Sequence, residues 1–94
     1  MTDRISFEDA VRETVNAIPE GEISTYGEVA TESGFPGAAR AVGNLLRSTT
    51  GMPWWRVIAA NGRLVPGSEA EHARRLRAEG VPIRNGRVVM RSAP

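Results

Sequence analysis

Ile23-Ser24-Thr25-Tyr26-Gly27-Glu28-Val29-Ala30, then Gly34-Phe35-Pro36-Gly37, then Ala38-Ala39-Arg40-Ala41-Val42-Gly43-Asn44-Leu45-Leu46-Arg47, is the stretch that decides the fold. Thr25 and Glu28 have the spacing of a capping box, in which each residue satisfies a backbone N–H of the other at a helix start. Tyr26, Val29 and Ala30 give that helix its buried side. The Gly-Phe-Pro-Gly run makes a tight connector, because Pro lacks an N–H and Gly adopts turn conformations freely. A further helix follows from about Ala38 to Arg47, with Ala41, Val42, Leu45 and Leu46 as its apolar positions. Two short helices joined by a glycine-containing turn read as a helix-turn-helix.

Upstream, Ser6 caps a helix with Asp9 as its capping-box partner, and Phe7, Val11, Val15 and Ile18 recur at helical spacing. Pro19, followed by Gly21, ends it. Downstream, Arg56 to Ala60, Asn61-Gly62 and Arg63-Leu64-Val65 read as a hairpin, since Asn-Gly suits the two positive-φ positions of a type I′ turn. Ser68 with Glu71 opens a fourth helix that runs to about Glu79, with Gly80 as a left-handed terminator and Pro82 beyond it. Ile83 to Val89 repeats the Asn-Gly hairpin pattern, and the tail Arg91 to Pro94 is expected to fray. The expected architecture is mainly α with small β-hairpins, a winged helix-like helix-turn-helix domain. No repeat or linker interrupts the chain, so one domain over 1–94, with its core at about 7–89, is expected.

Composition narrows the chemistry. The chain has 94 residues, 40% hydrophobic and 24% charged, which is the balance of a globular protein. It has no cysteine and one histidine, His72. That excludes disulfides, thiolate metal sites and a cysteine nucleophile, and it argues against a histidine-based triad or metal centre. The start, Met1 to Phe7, is polar, and no apolar run approaches the roughly 20 residues that span a bilayer. A cytoplasmic location without membrane attachment is expected. A net charge of +1 hides an asymmetry. Residues 1–36 hold eight acids against two arginines, and residues 37–94 hold ten arginines against three glutamates. A basic half of this kind suits either a polyanion partner or a solvated surface.

Few residues can carry chemistry. Trp54 and Trp55 stand side by side in a chain with five aromatic residues. On an extended segment their side chains would point in opposite directions, one to the core and one to a surface cleft. They can serve packing, or one can stack on a flat ligand such as a base. Arg40 lies early in the second helix of the pair, where such a helix meets nucleic acid, and it also reads as a solvated arginine. The small residues around it, Ala39 and Gly43 among them, would allow close approach to a groove or close packing. Tyr26 can reach a phosphate beside the N–H groups of a helix start, or close the core edge. His72 reads as a surface or packing residue. Glu79 is an acid without a partner carboxylate, so glycosylase-like chemistry through it has little support. No phosphate-binding glycine loop is present. A sequence-specific winged-helix regulator also fits the helix pair and the arginines.

Three blocks then carry a resemblance: Ile23 to Ala30, Ala38 to Asn44, and Pro53-Trp54-Trp55-Arg56-Val57-Ile58 with Asn61-Gly62 after it. Together they are similar to the DNA-binding domain of the O6-alkylguanine-DNA alkyltransferases, over roughly Phe7 to Val89. The alkyltransferase N-terminal domain has no counterpart here. The family's acceptor motif is Pro-Cys-His-Arg-Val. Trp54 occupies the cysteine position and Trp55 the histidine position. An indole cannot replace a thiolate nucleophile, so direct alkyl transfer is not expected. Trp at that position is the mark of alkyltransferase-like proteins. The resemblance implies binding of O6-alkylguanine in double-stranded DNA by a monomer, without cofactor, metal or catalytic residue, and hand-over to nucleotide excision repair.

The resemblance also implies roles. Tyr26, with Thr25 beside it, would crowd the phosphate next to the lesion and help rotate the nucleotide outward. Arg40 would fill the vacated stack. Ala39 and Gly43 would let the helix lie in the minor groove. Trp54 would line the lesion pocket, Arg56 would support it, and Glu79 matches a position that braces it. The loop Leu64-Val65-Pro66-Gly67-Ser68 is short and lacks the basic residue that some alkyltransferase-like proteins place against the lesion. Ser68 or backbone groups would have to substitute.

Overall fold

A computed structural model of the chain describes residues 6–89, and the tail expected to fray, Arg91 to Pro94, lies outside them. Helix α1 (Phe7–Asn16) starts at Ser6, whose hydroxyl accepts the Asp9 N–H at 3.1 Å. Its Val11 and Val15 are fully buried. The helix stops at Asn16, ahead of Pro19. A two-residue strand, β1 (Ser24–Thr25), runs straight into α2 (Tyr26–Glu32). The capping box forms here: the Glu28 N–H donates to Thr25 Oγ1 at 3.1 Å, and the Thr25 N–H donates to Glu28 Oε1 at 2.8 Å. It holds the chain at the point where a strand becomes a helix. After the Gly34 to Gly37 connector comes α3 (Ala39–Ser48), which buries Val42, Gly43 and Leu46. Ala41, expected on the apolar side, is exposed instead.

The remaining elements are one 3₁₀ turn (Trp54–Arg56), β2 (Val57–Ile58), α4 (Glu69–Ala78), and the pair β3 (Ile83–Arg84) and β4 (Arg87–Val88). The fold is thus a helical helix-turn-helix with small strands. Two apolar clusters hold it. The first joins α1, α2 and α3 through Val11, Val15, Val29, Val42 and Leu46, and takes in Val57. The second joins α4 to the terminal hairpin through Leu76, Val81 and Val88, and takes in Ile58. Val57 and Ile58 are both fully buried, and strand alternation sends them to different clusters. These two residues fasten the halves together, and each buried side chain of this size stabilises by roughly 1.5–3 kcal/mol.

The expected hairpin from Arg56 to Val65 does not form. Val57 and Ile58 pair in parallel with Ser24 and Thr25 instead. A short strand buried on both sides favours a parallel neighbour inside the molecule over an exposed hairpin partner. Asn61-Gly62 still turns the chain. The Gly62 N–H donates to the Ala59 carbonyl, and the Asn61 side chain accepts the Arg63 N–H, but Asn61 does not adopt positive φ. The second Asn-Gly behaves as expected. Asn85 at φ 55° and Gly86 at φ 75° join β3 to β4, with Ile83 opposite Val88 and Arg84 opposite Arg87. Arg63 pairs with the other edge of β4 opposite Arg87, so the segment after the first Asn-Gly adds to the terminal hairpin.

Helix α4 ends as expected, with Gly80 at φ 84° and the Val81 N–H returning to the Leu76 carbonyl. Its start differs. Ser68 makes no capping bond; the Gly67 N–H goes to Glu69 and the Glu71 carboxylate goes to Arg75. No helix among the described residues is long and apolar enough to cross a membrane.

Candidate nucleic-acid interface

Trp54 and Trp55 lie in a 3₁₀ turn rather than an extended segment, and they do not divide between core and cleft as expected. The ring centroids are 6.0 Å apart and the planes nearly perpendicular, at 87°. Trp54 packs against the first apolar cluster and Trp55 against the second. Each is partly buried, and both line one open cleft of about 1030 Å³. Its lining comes from Met52, Pro53 and the two indoles, from Tyr26, Gly43 and Arg47 on α2 and α3, and from Val65, Pro66, Ser68 and Arg75 on α4 and the loop before it. Arg56 also lines it.

Behind the tryptophans stands a bracket. Glu79, just past α4, accepts from four nitrogen donors on three residues. The Arg56 guanidinium donates through Nε at 3.0 Å and through its terminal nitrogen at 2.8 Å, and the Trp55 indole N–H donates at 2.7 Å. The Gly21 N–H donates to the same carboxylate at 3.0 Å. Arg56 also reaches the Ile18 carbonyl at the end of α1. Both partners are largely shielded, at 15% and 10% side-chain exposure, which strengthens a charge-assisted pair. The bonds from Arg56, Gly21 and Trp55 hold the Glu79 carboxyl at a pKa of about 2, and the same contact raises that of Arg56. Glu79 is therefore a fixed anion that ties α1, α4 and the tryptophan turn together. It does not line the cleft; it braces the wall from behind.

His72 holds the other wall. It is fully buried, where the sequence left it between surface and packing. Its Nδ1 accepts the Val65 N–H at 3.1 Å, its Nε2 lies 2.9 Å from the Trp55 carbonyl, and its ring lies 5.0 Å from that of Trp54. The Val65 N–H can only donate, so Nδ1 is the acceptor and Nε2 carries the proton. Burial lowers the His72 pKa, which matches a neutral ring. A single buried histidine on a helix has no sequence signal that separates it from a surface one, and only its two partners reveal the role.

The expected site residues fall into two groups. Tyr26, Gly43, Trp54, Arg56 and Ser68 meet at the cleft. Thr25, Ala39, Arg40 and Glu79 lie outside its lining. Thr25 spends its hydroxyl on the α2 cap. Arg40 is exposed and bonded to nothing among the described residues; with Asn44 and Arg47 it follows the 0, 4, 7 spacing of one helix face. Burial raises the Tyr26 pKa, opposed by Arg47, so the phenol stays a neutral donor. A Cβ at Gly43 would lie 3.8 Å from the Tyr26 ring, an ordinary contact, so packing alone does not demand glycine there. Arg75 is a cleft residue that the sequence reading passed over. It sits amid other arginines on α4, and no local pattern tells which of them faces inward. Among the described residues no group of three or more acidic or histidine side chains could hold a metal ion.

A short helix pair, a basic second helix and an aromatic cleft at its edge define a helix-turn-helix domain of the nucleic-acid-binding class. The family model for the DNA-binding domain of 6-O-methylguanine DNA methyltransferase matches residues 6–81, and the chain belongs to that family. It is 36% identical over 83 residues to the DNA base-flipping protein of Vibrio parahaemolyticus, covering 82% of this chain and 83% of that one. It is 41% identical over 83 residues to the DNA base-flipping protein of Escherichia coli, covering 83% of this chain but 64% of that one. The structure of S. pombe Atl1 with damaged DNA containing O6-carboxymethylguanine superposes with a TM-score of 0.79 at 36% identity, over 88% of this chain and 83% of Atl1.

Proposed function

We propose that this protein recognises O6-alkylguanine in duplex DNA without repairing it. The damaged nucleotide turns out of the stack, through the minor groove, into the cleft beside Trp54, and the bound complex marks the site for nucleotide excision repair. The observation that carries this reading is the indole-lined cleft at the edge of α3 in a chain with no cysteine. A flat base fits between aromatic and apolar walls, and no thiolate is present to accept its alkyl group.

The energetics agree. Extracting a base from a duplex costs a few kcal/mol, and less where alkylation has weakened its pairing. Stacking against an aromatic wall returns roughly 1–3 kcal/mol. Arg40, exposed near the start of α3, fills the vacated stack, and Tyr26 presses the neighbouring phosphate. Sequence-independent affinity comes from phosphate contacts. Arg63, Arg87 and Arg84 suit this, because their pairing puts them in one row across adjacent strands with no carboxylate among the described residues bonded to them. Such a row of like charges is unfavourable until an anion meets it.

The test is binding to matched duplexes carrying guanine or O6-methylguanine. Tighter binding to the methylated duplex is expected, and equal affinity would refute the reading. Arg40→Ala and Tyr26→Ala are each expected to reduce lesion binding at least about fivefold, on the scale of one stacking contact, with the fold intact by circular dichroism. Unchanged binding in both would remove the base-flipping step.

A further inference from the structure

The charges in the cleft are one-sided. Arg47, Arg56 and Arg75 line it, and no aspartate or glutamate does. These three arginines are not equivalent. Arg56 is consumed by Glu79 and the Ile18 carbonyl. Arg47 is bonded to the Asn44 side chain on the face of α3. Arg75 approaches from α4, and its guanidinium carbon lies 4.6 Å from the Trp55 ring centroid and 5.9 Å from that of Trp54. Only its Nε is bonded, to Glu71 one turn earlier, at 3.0 Å. Its terminal amino groups make no hydrogen bond among the described residues.

That arrangement places a planar donor fork against the indoles, with its outer edge unspent. The restraints on it are light. The pair with Glu71 is half-exposed, at 40% and 44%, and exposed ion pairs and cation–π contacts each contribute about 1 kcal/mol or less. The guanidinium can therefore turn toward a guest without disturbing the fold. The loop 64–68 contains no cation, so α4 supplies the positive group on this wall.

We infer that Arg75 is a specificity-determining residue of the cleft, and that it selects guanine adducts whose O6 substituent ends in a carboxylate. This rests on the lesion-binding reading above. A neutral alkyl group needs only the apolar walls. A carboxylate there would be costly to desolvate without a partner, and a guanidinium fork is the side chain best matched to it, with two parallel bonds. Arg47, bonded only to the neutral Asn44 side chain, adds positive potential, whereas the charge of Arg56 is offset by Glu79.

The experiment compares duplexes carrying guanine, O6-methylguanine and O6-carboxymethylguanine, with the full chain and with Arg75→Gln and Arg75→Lys. A charge-assisted hydrogen bond contributes about 1.5–3 kcal/mol, so Arg75→Gln should weaken carboxymethylguanine binding by roughly 10- to 100-fold. Methylguanine binding should change less than about fivefold, the size of an exposed cation–π contact. Arg75→Lys should fall between, since it keeps the charge and loses the fork. The ratio of the two adducts is insensitive to partial unfolding. Equal losses on both adducts would assign Arg75 to packing and overturn the inference, as would no loss on either. If the unmodified protein separates neither adduct from guanine, the lesion-binding reading itself fails, and this inference with it.

Discussion

The two sides of the Trp54–Trp55 turn are built on opposite terms. Behind it, polar groups are matched. Glu79 meets Arg56, the Trp55 indole and the Gly21 N–H, while His72 has a partner on each nitrogen. In front of it, polar groups are left open. The outer edge of Arg75 bonds to nothing among the described residues, and Gly43 leaves room that a methyl group could fill. The lesson is a division of labour. Matched charge on one side holds two indoles in place, so that unmatched charge on the other can wait for a ligand without destabilising the fold.

Substitution at the back should be felt as stability, and the largest effect is expected there. Glu79→Ala leaves the Arg56 guanidinium shielded and unpaired, with two further donors orphaned. A loss of about 3–5 kcal/mol is expected for breaking such a pair, read from urea denaturation. A loss below about 1 kcal/mol would mean that the bracket behaves as an exposed pair and that the contrast does not hold.

Acid should dismantle the same side in two steps. Burial lowers the His72 pKa, so the unfolded chain takes up the proton more readily than the folded one. The contribution of neutral His72 is thus complete above its ordinary value of 6.5 and is lost as the pH falls below it. Glu79 follows in a more acid range. Its contribution is complete above 4.5 and is lost toward about 2. Urea midpoints measured from pH 8 to pH 3 should decline first below 6.5, and His72→Asn should remove that first decline. A first decline that survives His72→Asn would dissociate the histidine from the wall.

The smallest stability change should come from the front. Gly43→Ala replaces a helical glycine where a Cβ has ordinary contacts, so a gain of about 0.5–1 kcal/mol is expected. The same methyl group intrudes between Tyr26 and Arg47 at the cleft, so weaker binding to O6-methylguanine duplexes should accompany the gain. Loss of stability would show that the cleft side is as tightly packed as the back.

Local signals carried much of this architecture. The Thr25 and Glu28 capping box, the Gly80 terminator and the Asn85-Gly86 hairpin all form as read, because each depends on residues a few positions apart. Asn61-Gly62 shows where that reasoning stops. Its flanks have the same grammar as Asn85-Gly86, yet Val57 and Ile58 pair with Ser24 and Thr25 from a distant part of the chain. Burial on two sides outweighed a turn preference. The site divides in the same way. Tyr26, Gly43, Trp54, Arg56 and Ser68, singled out in the sequence, line the cleft, whereas the inward turn of Arg75 and the burial of His72 had no signal there.

From its residues alone, this chain already had its helix boundaries, its helix-turn-helix, its lack of a thiol nucleophile and the place of its paired indoles. Those properties follow from short-range spacing and side-chain chemistry. Only the tertiary structure decided which way the indoles face, which donors hold Glu79, and which of the arginines on α4 enters the cleft. Each of those depends on groups brought together from separate elements, where the strength of a charge is set by what surrounds it.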